Sequence, residues 1–418
     1  MKKFCFRYFN FIIALLILCI FCIENSFAKS NSLISSKYDI FFEDILKKEK
    51  QHLKDSYILF DCLYDKNAES IDAYSLFLYM KQNNLPVYYV LLKDNPLYQK
   101  LKNDNELDNV IVIENYSKRD GENFLKAIKD VLPRTKAIIS SFGTESIIDK
   151  YFHSLKYLKY IFIQHGQVFF KQSVMYSGYL FPKKFPYILA SSDIERAIFR
   201  KYGWEDKNIL KAGLPRWDLL KDKEHLDEKS ILIMFTWRLT TPRLFAKSLF
   251  LKRFSSLLNN KEFNDFLLKN NIKIYLAHHH AFKTNSNINI NIDLPNIEIV
   301  DMNNISHYIK KSSLLITDLS SVSFDFMFQN KPVIFYGLDR GDILLEKNQY
   351  NDLEILKQIE KTFPNIVFEE KELIELVKQY VNNGFMLEEK DIQIYDKFFF
   401  TKKNIRQQLL DEINRICQ

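Results

Sequence analysis

Short, unbroken apolar runs alternate with amphipathic stretches along most of this 418-residue chain. Runs such as YILFD at 57–61 and VYYVLL at 87–92 are apolar on both faces, which is typical of strands buried in a parallel sheet. The stretches between these runs have helical spacing, and strand–helix alternation indicates βαβ units. In the first half of the chain we predict strands at 57–61, 87–92, 110–113, 137–140, 160–164 and 187–190.

The alternation stops at a polar, charged stretch, residues 221–229 (KDKEHLDEK), and then restarts. The second set of predicted strands is 231–235, 273–276, 297–300, 314–317 and 333–336. We therefore predict two doubly wound, Rossmann-like parallel-sheet domains of the α/β class. They should face a cleft, because ligands of such sheets bind beyond the carboxyl ends of the strands. The predicted divisions are 1–28, 29–222, 223–385 and a helical C-terminal segment, 386–418, that crosses back to the first domain.

Several function classes are excluded by what the sequence lacks. The chain has nine glycines, and no two of them form a G-x-G. A Walker loop and a dinucleotide fingerprint both need closely spaced glycines, so neither a P-loop NTPase nor a conventional NAD enzyme is supported. The absence of a G-x-S-x-G elbow argues against a hydrolase of that type. The net charge of +7 fits an anionic substrate or membrane face but is too diffuse to indicate nucleic acid.

The N-terminal segment is directed to a membrane. Lys2, Lys3 and Arg7 precede an apolar run at 11–23. With small residues up to Ala28, this pattern resembles a secretory signal cleaved after Ala28. The other interpretation is an uncleaved anchor, although a bilayer span needs about 20 apolar residues. The segment is therefore either a cleaved secretory signal or an uncleaved membrane anchor.

Polar residues follow several predicted strands directly. His165 and Gly166 come after YIFIQ. A histidine there can take a proton from an attacking hydroxyl, and a glycine lets the chain turn close to a substrate. The alternative is a histidine that is only hydrogen-bonded to a nearby carbonyl.

The sequence GLPRWD lies just before the polar stretch. Gly213 and Pro215 predict a turn. Arg216 could pair with an anion or with Asp218, and the alternative is an interdomain hinge with a local salt bridge.

Two further groups follow strands of the second half. After ILIMF come Thr236, Trp237 and Arg238, of which Arg238 offers a planar fork suited to phosphate and Trp237 could stack on a base or pack between domains. After LLIT comes a run that leads into a helix, so its serines should cap free N–H groups at an end with partial positive charge. The residues of this run are Thr317, Asp318, Ser320 and Ser321, followed by Asp325 one turn into the helix, where it faces either the cleft or a core partner.

Three consecutive histidines, His278, His279 and His280, follow KIYLA. In an extended segment neighbours point to opposite faces, so at most two can share a site, whereas a catalytic zinc needs three ligands. We therefore predict no metal site here and choose His279 as a histidine beside a phosphate.

Taken in order, these motifs resemble the CDP-glycerol glycerophosphotransferase family, the teichoic-acid-type polymerases and primases. The resemblance covers the chain from about Tyr57 to Tyr336 and is most specific in ITDLSSVSFDFMFQNKPVIFY. The chain departs from the family pattern at three positions. Gln164 stands where the family usually has Trp, and His280 stands where it usually has Pro. Lys171 lies one position further along than the lysine of the family. The matching motifs are His-Gly at 165–166, G-x-P-R-x-D at 213–218, T-W-R at 236–238, the His279 region, I-T-D-x-S-S-x-x-F-D at 316–325 and K-P-x-I-F-Y at 331–336.

The resemblance implies a GT-B-like fold with an acceptor-side first domain and a nucleotide-donor second domain. It implies transfer of glycerol phosphate, or a related alditol phosphate, from a CDP-activated donor to a hydroxyl of a polymeric or lipid-linked acceptor, with release of CMP. Activated nucleotide donors are cytosolic, so we favour association with the cytoplasmic face of the membrane, with export as the alternative. No cofactor is firmly implied, and Mg²⁺ is compatible. The alternatives are a GT-B glycosyltransferase that uses a nucleotide sugar for surface polysaccharide synthesis and a non-catalytic polyanion-binding protein.

The resemblance also suggests roles for the candidate residues. His165 would be the general base, and His279 would act at the donor. The resemblance implies that the donor phosphates are bound by Arg238, Thr317, Asp318, Ser320, Ser321 and Asp325. The supporting residues are Gly166, Gly213, Pro215, Arg216, Asp218, Thr236 and Trp237.

Overall fold

The computed structural model describes residues 54–63, 71–114, 122–142, 155, 157–171, 182–183, 185–221, 229–236, 248–278, 295–337 and 353–418. Backbone contacts divide the chain into a smaller unit, residues 1–55 with 128–135, and a larger unit, residues 56–127 with 136–418. In the described part of the smaller unit, Arg134 Nη2 donates to Asp55 Oδ2 at 2.9 Å. The larger unit carries both sheets and the candidate site. The predicted boundaries at 28 and 222 lie outside the described residues, and the predicted domain limits stay predictions.

Within the described residues the first sheet has seven parallel strands, and its central strands, such as β1, are buried along their whole length. All six strands predicted in the first half of the chain are confirmed, and β7 was missed because it is only three residues long. The strands pair in the order β3-β2-β1-β4-β5-β6-β7. They are β1 (Ser56–Phe60), β2 (Val87–Leu92), β3 (Val110–Ile113), β4 (Thr135–Ser140), β5 (Lys159–Phe162), β6 (Tyr187–Ala190) and β7 (Ile209–Lys211).

The second sheet repeats this topology with six strands in the order β10-β9-β8-β11-β12-β13. The five predicted strands are confirmed, and the two-residue β13 was missed. In each sheet the strand order reverses once, between β1 and β4 and between β8 and β11, and such switch points are where ligands of doubly wound sheets bind. The strands are β8 (Ser230–Phe235), β9 (Lys273–His278), β10 (Ile297–Val300), β11 (Leu314–Thr317), β12 (Val333–Tyr336) and β13 (Ile366–Val367).

Helices connect and cover these strands. Those of the first half are α1 (Asp72–Gln82), α2 (Pro96–Asn103), α3 (Glu122–Ile128) and α4 (Asp193–Lys201). Those of the second half are α5 (Leu249–Leu258), α6 (Lys261–Lys269), α7 (Ile305–Lys311), α8 (Val322–Phe328), α9 (Leu353–Thr362), α10 (Glu370–Asn382), α11 (Glu389–Asp396) and α12 (Ile405–Cys417). Side-chain caps begin several of them: Ser192, Ser248 and Asn260 each accept a hydrogen bond from the first turn of α4, α5 and α6. The core of the second sheet packs the apolar face of α5, including Phe254 and Leu257, against the strands.

The C-terminal stretch contacts the first sheet. Arg415 of α12 donates to the carbonyl oxygens of Lys207 and Ile209 beside β7. The hydroxyl of Tyr57 in β1 donates to Asn414 Oδ1 at 2.8 Å. The last helix therefore belongs structurally with the first sheet.

The N-terminal segment 1–28 lies outside the described residues. Within the described ranges, no helix combines the length and the apolar character needed to cross a bilayer.

Candidate active site

Asp61 and Ser141 occupy the switch point of the first sheet, directly after β1 and β4. Ser141 Oγ donates to Asp61 Oδ1, and Tyr89 donates to Asp61 Oδ2 at 2.9 Å. Asp61 also accepts the backbone N–H groups of Ala73 and Tyr74, which begin α1. Burial raises the pKa of the Asp61 carboxyl, and these four donors oppose the rise. Asp61 was not among the predicted site residues, although an acidic residue directly after a buried strand was visible in YILFD.

His165 lies at the carboxyl end of β5, beside this switch point. Its Nδ1 lies 3.1 Å from the carbonyl oxygen of Ser141, and its exposed ring stacks on Phe142 at 4.1 Å between centroids. A neutral imidazole that donates from Nδ1 carries its lone pair on Nε2, the nitrogen that a general base would use. A hydrogen bond to a nearby carbonyl, the alternative to a catalytic role for His165, is therefore present, and it is compatible with that role.

The residue before His165 is held in an uncommon conformation. Gln164 has φ 60°, in the left-handed region, and its side-chain amide donates to the carbonyl oxygen of Leu189 in β6. Glu195, which was also not predicted, accepts from the backbone N–H groups of Val168 and Ser191. Burial raises the pKa of the Glu195 carboxyl, against these hydrogen bonds. The loop that carries His165 is thus tied to the neighbouring strand and helix.

Gly166 brings the His165 loop against the second sheet. A Cβ at this position would lie 2.5 Å from Ser321 Oγ and 2.9 Å from Ser321 Cβ, closer than real contacts allow. Only a glycine permits this approach of backbone to side chain. The two groups predicted to form one site, His165–Gly166 and Ser320–Ser321, are therefore neighbours.

Thr236 and Asp318 form hydrogen bonds across the switch point of the second sheet. The backbone N–H and the hydroxyl of Thr236 donate to Asp318 Oδ1 at 2.9 and 2.8 Å, and Thr317 Oγ1 donates to the carbonyl oxygen of Met234. These contacts hold the ends of β8 and β11 together. Phosphate contacts by Thr317 and Asp318 stay a prediction.

The two serines before α8 differ in how they cap it. Ser321 occupies the N-cap position with φ −65°, and its side chain makes no capping hydrogen bond. Ser320 Oγ lies 3.5 Å from the N–H of Val322, at the limit of a hydrogen bond. The carbonyl oxygens of Ser320 and Ser321 instead accept from Ser323 and Phe324. The prediction that serine side chains cap this helix is therefore confirmed for Ser320 and wrong for Ser321.

Arg216 lies in the short helical turn Pro215–Asp218 and is buried in an ion network. Its Nη1 donates to Asp72 Oδ2 at 2.6 Å, and its Nε and Nη2 donate to the two carboxylate oxygens of Asp325 at 3.0 and 3.2 Å. Trp217 Nε1 also donates to Asp325, at 2.7 Å. Arg216, Asp72 and Asp325 are only 7%, 1% and 3% exposed.

This network decides between alternatives that the sequence left open. Arg216 pairs with Asp72 and Asp325 and not with Asp218, and Asp325 has a core partner that occupies both of its carboxylate oxygens. Phosphate binding by Asp325 stays a prediction. Burial raises the pKa of Asp72 to about 7, against the attraction of Arg216. It likewise raises the pKa of Asp325. Burial acts to lower the pKa of Arg216, but Asp325 and Asp72 raise it above its ordinary value.

The remaining residues of GLPRWD support packing around the C-terminal helix. Asp218 accepts from the backbone N–H groups of Ile405 and Arg406, and so caps α12. A Cβ at Gly213 would lie 2.8 Å from both the Ile405 side chain and the Trp217 ring. The carbonyl oxygen of Pro215 accepts from Ser75 Oγ of α1 at 3.1 Å.

Four of the singled-out residues lie outside the described ranges: Trp237, Arg238, His279 and His280. Their predicted roles are carried forward as proposals. Within the part of the chain that the structure describes, no three His, Cys, Asp or Glu side chains come together to hold a metal ion.

Comparison with known proteins gives the same family as the motifs. The family described as CDP-Glycerol:Poly(glycerophosphate) glycerophosphotransferase matches residues 45–415. The chain is 27% identical to the minor teichoic acid biosynthesis protein GgaB of Bacillus subtilis (strain 168), over 84% of this chain and 38% of GgaB. It is 28% identical to the teichoic acid poly(glycerol phosphate) polymerase of Bacillus spizizenii, over 53% of this chain and 56% of that protein. The chain thus spans about a third to just over half of the length of these relatives.

A solved structure of the wall teichoic acid polymerase TagF has the same fold. Its TM-score is 0.60 at 18% identity, over 88% of this chain and 90% of that one. The GT-B-like arrangement of two parallel-sheet domains predicted from the sequence is confirmed. Because the family match extends over most of the sequence, the chain belongs to the CDP-glycerol:poly(glycerophosphate) glycerophosphotransferase family.

Proposed function

We propose that this protein transfers glycerol phosphate, or a related alditol phosphate, from a CDP-activated donor to a hydroxyl of a polymeric or lipid-linked acceptor, with release of CMP. Family membership supports the reaction class. The names of the curated relatives refer to teichoic acid biosynthesis and to poly(glycerol phosphate) polymerase. One solved TagF structure was obtained after a soak with CDPG.

The observation that carries the proposal is the approach of Gly166 to Ser321, which brings a histidine from one sheet to the helix start of the other. In the proposed reaction the acceptor oxygen attacks the phosphorus that bears the glycerol, and the bond from that phosphorus to the CMP oxygen breaks. The proton of the acceptor hydroxyl goes to His165 Nε2. A positioned general base of this kind contributes about 10²–10⁴ in rate.

The donor pyrophosphate needs preorganised positive groups and hydrogen-bond donors, because negative charge develops on the departing CMP. We assign this role to Arg238 and His279 together with Ser320 and Ser321. The Ser321 hydroxyl is supported by its place next to Gly166, and Ser320, Arg238 and His279 are supported by their match to the family motifs.

The test is a donor panel with purified protein, in which CMP or UDP release is measured with CDP-glycerol, CDP-ribitol and UDP-sugars in parallel. We expect CMP release, lowered about 10²–10⁴-fold in His165→Ala. His307→Ala, on α7, is the matched control and should keep full activity. UDP release from a UDP-sugar would make the protein a nucleotide-sugar glycosyltransferase, and failure to bind any nucleotide would favour polyanion binding.

We also propose that the protein works at the cytoplasmic face of the membrane in the synthesis of a cell-surface polymer. The basic head and apolar run of residues 1–28 support the membrane association. Reporter fusions after Ser30 and after Gln418 test the side. An extracytoplasmic C-terminus would contradict this placement, because CDP-activated donors are made in the cytosol.

A further inference from the structure

Arg216 contacts both halves of the candidate active site. Toward the second sheet, its Nε and Nη2 donate hydrogen bonds to the two carboxylate oxygens of Asp325. Asp325 lies in the first turn of α8, four residues after Ser321. A bidentate bond between two planar groups fixes orientation as well as distance, so the guanidinium constrains how this helix presents Ser321.

Toward the first sheet, Arg216 binds the residue that would act as the general base. Its Nη1 donates to the carbonyl oxygen of His165 at 3.2 Å and to Asp72 Oδ2, in the first turn of α1, at 2.6 Å. One side chain thus connects the backbone of His165 to the helix that begins beside Ser321.

Apolar packing between the same elements lacks this directionality. Phe170, in the loop after His165, stacks on Phe324 of α8 at 5.0 Å between centroids. Such contacts hold the loop against the helix, but the hydrophobic effect is non-directional. A buried ion network costs desolvation energy, and well-packed apolar residues are often as stabilising. The network is therefore better explained by a role in fixing the orientation of these elements than by a gain in folding stability.

We propose that Arg216 is a positioning residue that sets the separation of His165 and Ser321 in the transfer reaction. The kinetic part of this inference rests on the proposed function. Lysine keeps the positive charge but cannot make the planar fork, so Arg216→Lys isolates the geometric contribution.

The kinetic test measures kcat and KM for CMP release from CDP-glycerol. A shift of about 1 Å in a reacting group can cost about 10²-fold in rate, so Arg216→Lys should lower kcat by about that factor in folded protein. The control is Arg196→Lys, which removes an equivalent fork, to Asp206 at 2.9 and 2.6 Å, from the exposed face of α4. Its kcat should be unchanged. A folded Arg216→Lys protein with kcat within about twofold of the parent would overturn the inference.

A second test is independent of activity. The pair Gly166→Cys with Ser321→Cys places two Cβ atoms closer than the mean of about 3.8 Å for a disulfide, so a small shift lets the bond form. Disulfide formation, followed by peptide mapping, should be at least about tenfold slower once Arg216→Lys is added, and unaffected by Arg196→Lys. Equal rates with and without Arg216→Lys, or no bond in the Arg216 protein, would refute the positioning role. If the rates differ while no donor is turned over, the proposed function fails and the positioning role stands.

If Arg216→Lys does not fold, Asp325→Asn is the second variant, because it keeps the shape of the partner and removes its charge. The same loss of crosslinking rate is expected. An unchanged rate in folded Asp325→Asn would equally refute the inference.

Discussion

Gly166→Ala tests the contact on which the candidate site depends. The added methyl would lie 2.5 Å from Ser321 Oγ and 2.9 Å from Ser321 Cβ. Carbon contacts are favourable only at about 3.5–4.0 Å, so the His165 loop and the start of α8 must separate by roughly 1 Å. The φ of Gly166 lies outside the left-handed region, so alanine is not strained by the backbone itself.

The expected magnitude follows from this overlap. Overpacking of this kind costs about 1–3 kcal/mol of stability. A displacement of about 1 Å between reacting groups costs up to about 10²-fold in rate. Gly166→Ala should therefore lower the free energy of unfolding within that range and reduce kcat for CMP release about 10²-fold.

The assay combines urea unfolding with steady-state CMP release in a double-mutant cycle. Ser321→Gly removes both atoms that the new methyl would meet. Because Ser321 is itself a proposed donor contact, the double variant is compared with Ser321→Gly alone, and the alanine should then have little further effect. A Gly166→Ala protein as stable and active as the parent would refute the juxtaposition, as would a penalty that persists in the Ser321→Gly background.

Three further predictions concern carboxylates around the site. The raised pKa of Asp72 keeps a proton on the folded carboxyl between about pH 4 and about 7, where the unfolded chain has released it, so this carboxyl makes the free energy of unfolding fall as pH rises through that interval. Asp72→Asn should make that fall shallower in unfolding curves measured across the interval, and an unchanged slope would contradict the raised pKa. Asp218→Ala removes the cap of α12 and should cost about 0.5–2 kcal/mol of stability while kcat stays unchanged; a loss of kcat in folded protein would return Asp218 to the site. Asp61→Asn places an amide N–H₂ against groups that donate to Asp61, so it should lower the free energy of unfolding in urea by about 1–3 kcal/mol. A variant as stable as the parent would contradict this prediction.

Much of the fold could be predicted because its signals are local. An apolar run such as VYYVLL can bury both faces only inside a covered parallel sheet, and neighbouring residues are enough to show it. The strands that were missed, Ile209–Lys211 and Ile366–Val367, are too short to carry a pattern. The site was predicted to the extent that His165 and Ser321 each lie within four residues of the end of a strand.

The partners of charged side chains could not be predicted in this way. Arg216 bonds to Asp72 and Asp325, which are 144 and 109 positions away, whereas the sequence offered only an unspecified anion or the neighbouring Asp218. Asp218 instead caps a helix that begins 187 positions later. Spacing along the chain says little about such pairs, since they form wherever two elements pack.

The two parallel sheets, the residues at the ends of their strands and the family could be predicted, because apolar runs and motif order are properties of contiguous residues. That Gly166 meets Ser321 and that Arg216 joins His165 to Asp325 is visible in the folded chain alone. These contacts depend on how two sheets pack against each other, and a buried ion takes whichever counter-ion that packing brings within reach.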